Sequence, residues 1–304
     1  MQMPTHEVPL TEIHLNRNIR LFIKRDDQIH PEISGNKFWK LFYNINQYLA
    51  QEIENPVLIT FGGAFSNHIA AVAALGRELG IATLGLIRGE ELEQKWHENE
   101  TLTKASADGM RFRFVNRQTF RDKDSLTQNL QKEFRQALII PEGGTNQVAV
   151  NGIQHMLGNA TKSFNYLCTA VGTGGTVAGI SRFAEENQKV LGFKVVKDSS
   201  LEAKVSELSG KENFELIDAA DGGYGKITDG NNRFINSFYD KYGVPLDPVY
   251  TGKMMRKLFE LIEQNFFAEG CTILAFHTGG LQGIKGANEM LKKNERPLIK
   301  TTVK

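Results

Sequence analysis

Seven short apolar and β-branched runs recur along this chain with amphipathic stretches between them, and that alternation constrains the fold more than any other feature. The runs are PVLITFGG (56–63), ATLGLIRG (82–89), RFRFVN (111–116), ALIIPEGG (137–144), NYLCTAVGTGG (165–175), GFKVVK (192–197) and TILAFHTGG (272–280). Helical candidates lie between them at 66–80, 146–157, 176–187 and 252–267. Strands alternating with helices of ten or more residues predict an α/β fold with parallel sheets covered by helices on both faces. In the last two helices the apolar residues recur at three-to-four spacing, which marks a face turned to a core. Five of the seven runs end in glycine punctuation. Ligands of open parallel sheets bind beyond the carboxyl ends of the strands, so those loops are where a site is expected.

A length of 304 residues fits two modest domains or one large α/β unit. With 40% hydrophobic residues, 23% charged residues and a net charge of +1, the balance is that of an ordinary globular protein, and no broad basic field points to nucleic acid. The opening MQMPTHEVPLTEIHL lacks a basic segment followed by an apolar one, and no apolar run approaches the roughly 18 residues of a membrane span. A cytoplasmic protein with no membrane partner is expected. Cys168 and Cys271 each lie inside an apolar run, the pattern of buried free thiols rather than of a disulfide or metal framework. The charged, helix-compatible stretches 90–109 and 116–136 read as solvated faces of a smaller domain, placed at 45–150 and inserted into a larger one of 1–44 plus 151–304.

Three segments carry chemistry. The loop AVGTGGTVAG (170–179) follows an apolar strand and opens a helix. Its small residues let backbone N–H groups crowd a phosphate, and a helix N-terminus adds about half a positive charge. The dinucleotide fingerprint is incomplete, because counting from Gly172 its third glycine position is Val177. Asp198 at the end of the next strand leaves an acidic ribose partner open. A mononucleotide-sized phosphate is the favoured reading, with a dinucleotide and a purely structural tight turn as the others.

In TFGGAFSNHIAAVAALGRELG (60–80), Ser66, Asn67 and His68 stand at a helix start after a Gly-Gly turn. A helix cap worth about 1 kcal/mol accounts for one of them. Three together read as donors for a carboxylate and an aldehyde-derived oxygen. In SGNKFWKL (34–41), Lys37 and Lys40 share a helix face. A solvated lysine is the ordinary reading of either. A lysine with a lowered pKa can instead form a Schiff base, with its neighbour beside the ligand's phosphate.

These segments, together with PEGGTNQVAVNGI (141–153), DPVYTGKMM (247–255) and AFHTGGLQGI (275–284), resemble in order the pyridoxal-5′-phosphate enzymes of the 1-aminocyclopropane-1-carboxylate deaminase and D-cysteine desulfhydrase family. The resemblance covers nearly the whole chain. It implies the tryptophan-synthase-β-like fold, two open twisted sheets flanked by helices with the cofactor between two domains. It matches Lys37 to the Schiff-base lysine, Lys40 to its companion near the cofactor phosphate, and Gly172, Thr173, Gly174, Gly175 and Thr176 to the phosphate cup. Ser66 matches the serine near the substrate carboxylate, with His68 beside it, and Asn67 the asparagine that bonds the ring oxygen. Tyr250 matches a tyrosine against the pyridine ring, and Tyr224 a second active-site tyrosine. A homodimer is also implied.

Two positions bear on the substrate. Where the deaminases carry Glu after the ring tyrosine and Leu before the last Gly-Gly, this chain has Thr251 and Thr278. A hydroxyl near the ring nitrogen makes the cofactor a weaker electron sink, which suits elimination of an easy leaving group better than opening a cyclopropane. The resemblance therefore implies a lyase that converts a small amino acid, D-cysteine first, to pyruvate, sulfide and ammonia. A 1-aminocyclopropane-1-carboxylate deaminase and a non-catalytic cofactor-binding relative are the alternatives. Phe38-Trp39 and Ala64-Phe65 also depart from the family's usual residues, which predicts a reshaped pocket entrance.

Overall fold

The computed structural model describes residues 1–4 and 7–301. The first half of the chain forms β1 (Leu10–Ile13), β2 (Arg20–Lys24), α1 (Asn36–Leu49), β3 (Val57–Gly62), α2 (Asn67–Leu79), β4 (Ala82–Arg88), α3 (Glu100–Ala107), β5 (Met110–Val115), α4 (Lys123–Glu133), β6 (Leu138–Ile140) and α5 (Gln147–Gly152). The second half forms β7 (Tyr166–Val171), α6 (Gly175–Phe183), β8 (Lys189–Lys194), α7 (Leu201–Ser209), β9 (Phe214–Asp218), α8 (Asp229–Tyr242), α9 (Thr251–Glu263), β10 (Thr272–Phe276) and α10 (Gly283–Lys293).

Two sheets result. One is ordered β5-β4-β3-β6 and the other β1-β2-β10-β7-β8-β9. Every pairing is parallel except that of β1 with β2. Parallel strands need long crossovers, and the helices between successive strands supply them. Strand periodicity then distributes the core: Leu167 and Val171 of β7 and Leu274 and Phe276 of β10 enter one apolar cluster with α1, α5 and α6. Cys168, Ala170, Ile273 and Ala275 enter the opposite one, with α8, α9 and α10. Leu58 and Ile87 of the smaller sheet join the first cluster as well, so one continuous apolar layer connects the two sheets. Ile59, Phe61 and Leu86 turn to the other side, where α4 and Phe120 cover them.

Three strands lacked a clear signal in the sequence. β1 and β9 are edge strands with charged residues in them, LTEI and FELID, and β2 is RLFIK. β8 begins at Lys189, three residues before the expected run, because Val190 and its successors pair with both β7 and β9. The helix expected over 146–157 is α5 followed by a 3₁₀ turn at Ile153–Met156. Both cysteines are buried free thiols. Among the described residues no helix is long and apolar enough to cross a membrane.

Candidate active site

The carboxyl ends of strands from both sheets open onto one cavity of about 520 Å³. β3, β6, β7 and β10 each contribute the loop that follows them, and β4 contributes its last residue, Arg88. The residues matched to the lysine pair, the phosphate cup, the carboxylate donors and the tyrosines line this cavity, as does Thr278: Lys37, Lys40, Ser66, Asn67, His68, Gly172–Thr176, Tyr224 and Tyr250.

α1 places the two lysines. Its cap is Gly35, whose φ of 65° and close approach to the backbone of Thr278 leave no space for a side chain: a Cβ there would be 2.0 Å from the Thr278 oxygen. The start of α1 is thereby pinned to the loop after β10. Lys37 follows in the first turn, its Nζ donating to Asn36 Oδ1 at 3.1 Å. Asn36 in turn donates to Thr176 Oγ1 at 2.7 Å, which ties α1 to the start of α6. Burial brings the Lys37 pKa down to about 8, against a smaller opposing pull from the Asp247 carboxylate. Lys40, one turn on, is held well below its usual pKa by burial and by the charge of Lys37. Its Nζ donates to Gly143 O at 3.1 Å and Thr145 Oγ1 at 3.0 Å.

The glycine loop after β7 is a cradle that side chains would fill. A Cβ on Gly175 would lie 3.0 Å from Lys40 Nζ, and one on Gly172 would lie 3.0 Å from the Tyr250 ring. Bare backbone, a helix start and a lysine thus converge where a phosphate monoester would be bound. The Tyr250 hydroxyl lies 3.0 Å from that of Tyr224. Burial and the neighbouring phenol keep the Tyr250 pKa well above its ordinary value, so it remains a proton donor across the neutral range.

Ser66 does double duty. Its Oγ accepts from Ile69 N–H at 3.3 Å as the cap of α2, and it also faces the cavity. Asn67 Oδ1 accepts from Gln282 at 3.1 Å.

His68 requires a correction. Thr60 Oγ1 gives its only proton to the Ile140 carbonyl at 2.9 Å, so the 2.8 Å contact between Thr60 Oγ1 and His68 Nε2 must be donated by Nε2. Burial and the two lysines lower the His68 pKa well below its usual value, so the ring is neutral and Nδ1 is an acceptor with no hydrogen-bond partner among the described residues. The side chain therefore offers no proton to a carboxylate.

Thr251 and the expected entrance residues also differ from expectation. Thr251 is fully buried beneath the lining, where its hydroxyl donates to Asp247 Oδ2 at 2.6 Å and accepts from Asp247 N–H at 2.9 Å. Phe38 and Trp39 are buried in the core, with Trp39 donating toward Asp26, and they do not reach the cavity. Ala64 and Phe65 do, and Phe65 is 67% exposed at the rim.

Sequence reasoning missed Asn36, Arg88, Glu142, Thr145 and Asp247 as parts of the site. Asn36 and Arg88 stood inside segments already marked for attention, SGNK and LIRG, but only the packing of the two sheets brings them to one cavity.

The family of pyridoxal-phosphate dependent enzymes matches residues 2–279. The chain belongs to that family. Among the relatives of these pyridoxal-phosphate enzymes, the mitochondrial bifunctional D-cysteine desulfhydrase/1-aminocyclopropane-1-carboxylate deaminase of Arabidopsis thaliana is 28% identical, covering 93% of this chain and 80% of its own. A D-cysteine desulfhydrase of Klebsiella pneumoniae is 28% identical, covering 91% of each chain. The crystal structure of a 1-aminocyclopropane-1-carboxylate deaminase homologue superposes with a TM-score of 0.80 at 26% identity, covering 96% of this chain and 95% of that one. The fold is thus the tryptophan-synthase-β-like arrangement, and the cofactor is pyridoxal phosphate. The cavity fits that group: a bare phosphate cradle beside Lys40 and a lysine amine with a lowered pKa stand on one wall system.

Proposed function

We propose that this enzyme catalyses β-elimination on a small amino acid, with D-cysteine as the first substrate to test and pyruvate, hydrogen sulfide and ammonia as products. The observation that carries the reading is the convergence of Lys37, with its pKa near 8, and the Tyr224–Tyr250 hydroxyl pair on one cavity. Bound pyridoxal phosphate supplies an electron sink for the pair left behind when a proton leaves the amino acid's Cα. Gly172–Thr176 and Lys40 hold its phosphate, Asn67 orients its ring, and Lys37 holds its aldehyde. Ser66 and the N–H groups at the start of α2 bind the substrate carboxylate. Lys37 Nζ, once released, takes the Cα proton, and Tyr250 protonates the departing group.

Thr278 in the lining supports D-cysteine over the cyclopropane, since the deaminases this chain resembles carry leucine there. Thr251 supports it less directly than the sequence implied, because its hydroxyl is committed to Asp247. A 1-aminocyclopropane-1-carboxylate deaminase is the second reading, favoured by the name of the bifunctional plant relative. We also propose a homodimer in the cytoplasm, with the chain divided into 1–44 plus 151–304 and an inserted 45–150; the two separate sheets support that division.

The deciding assay gives purified protein D-cysteine, L-cysteine and 1-aminocyclopropane-1-carboxylate in parallel. Sulfide and pyruvate from D-cysteine alone are expected. Release of 2-oxobutanoate from the cyclopropane, without sulfide from D-cysteine, would replace the first reading with the second.

A further inference from the structure

Most charges of the cavity lining already have a partner or a task. Glu142 faces Lys123 at 3.3 Å, and Asp198 faces Lys204 at 3.5 Å. Lys197 also lines the cavity, three residues past the end of β8, and its side chain makes no hydrogen bond and no ion pair among the described residues. The side chain of Arg88, the last residue of β4, likewise has no hydrogen bond and no ion pair among the described residues, while its backbone pairs with Val115 of β5. Its guanidinium is nonetheless placed. It lies over the Phe120 ring, 5.7 Å from the centroid, and it occupies space that a Cβ on Gly63 would approach to 3.3 Å. Gly63 opens the turn that leads to Ser66, whose N–H donates to Gly63 O at 3.1 Å. Arg88 thus flanks the segment assigned to the substrate, and its charge also acts on the Tyr224 phenol, opposing the effect of burial there.

We propose that Arg88 recognises a second negative charge on the substrate, carried by the group attached at Cβ. Preferred substrates are then amino acids whose β-substituent is itself anionic. A guanidinium presents a planar fork of donors that matches two oxygens of a phosphate, sulfate or carboxylate, and with no protein carboxylate to satisfy it the fork is available to the ligand. The proposal rests on the β-elimination reading. In that reaction the Cα proton passes to Lys37, its electron pair becomes the Cα–Cβ double bond, and the substituent leaves with the pair of its bond to Cβ. The enamine product takes up water to give pyruvate and ammonia.

The test compares O-phosphoserine with β-chloroalanine, each as both enantiomers, on holoenzyme of the wild type, Arg88→Gln and Arg88→Lys. Affinity is read from the concentration that half-saturates the change in cofactor absorbance, and turnover from pyruvate. The wild type should bind O-phosphoserine more tightly than β-chloroalanine. Arg88→Gln should erase that preference by about tenfold or more, the scale of one charge-assisted hydrogen bond, with partial recovery in Arg88→Lys. Equal affinity for the two compounds in the wild type, no binding of O-phosphoserine, or a loss in Arg88→Gln shared equally by both overturns the proposal. An intact binding preference with no pyruvate from either compound would instead overturn β-elimination and leave the role of Arg88 standing.

Discussion

Lys37 stands in the first turn of α1 with its amine in the cavity, where burial brings its pKa down to about 8. At pH 7 about a tenth of such amines are neutral, several hundred times the fraction of an ordinary lysine. Capture of an aldehyde needs the neutral form. Apoenzyme mixed with pyridoxal phosphate should therefore regain its chromophore at a rate that rises with pH and levels off above about 8. A rise continuing toward 10.5 would show an unperturbed lysine. Lys37→Ala should lose turnover by at least about a thousandfold, as expected when covalent attachment and the proton acceptor are removed together. Pyruvate from that variant at the wild-type rate would end the assignment. Lys37 and the glycine loop were legible in the sequence because residue type and spacing carry their chemistry. The tautomer of His68 was not, because it depends on where Thr60 on β3 sends its proton, and that is set by pairing with β6.

At the scale of elements, the site depends on close backbone approaches. The loop between β7 and α6 passes under Tyr250, which caps α9, and Gly172 is what permits the contact. Gly172→Ala would put a methyl group 3.0 Å from the ring, so Tyr250 must give way by a few tenths of an ångström, which disturbs its contact with Tyr224. We expect kcat/KM to fall by about 10- to 100-fold, the cost of a misplaced catalytic group, with little change in Tm. Equal activity would show that the ring's position is unimportant. Strand–helix alternation predicted most of these elements correctly. It failed at β1, β2 and β9, whose polar residues obscure the apolar pattern, and it displaced β8 because two neighbouring strands fix the register there.

Across the whole molecule, the segment before α1 braces the helices that cover the smaller sheet. Glu32 pairs with Arg77 of α2 and Lys104 of α3, and hydrogen bonds from those two cations bring its pKa down to about 2 from 4.5. A carboxylate depressed on folding stabilises the native state above its unfolded pKa, and that stability is lost as pH falls toward the folded value. Glu32→Gln should therefore cost about 1 kcal/mol at pH 7, after solvent screening of a partly exposed group. The difference from wild type should shrink as pH falls from about 4.5 to about 2. A pH-independent difference in denaturant titrations would assign the loss to packing.

The sequence by itself determined the α/β class and marked the lysines and the glycine cradle, because local periodicity and residue chemistry encode them; the two tyrosines were named only through the family resemblance, and their pairing appears only in the structure. Tertiary structure alone decided that strand ends from two sheets share one cavity, that Thr251 is spent on Asp247, that Phe38 and Trp39 belong to the core, and that Arg88 lines that cavity with no ion pair among the described residues. Those facts depend on which distant segments pack together, and no spacing along the chain records that.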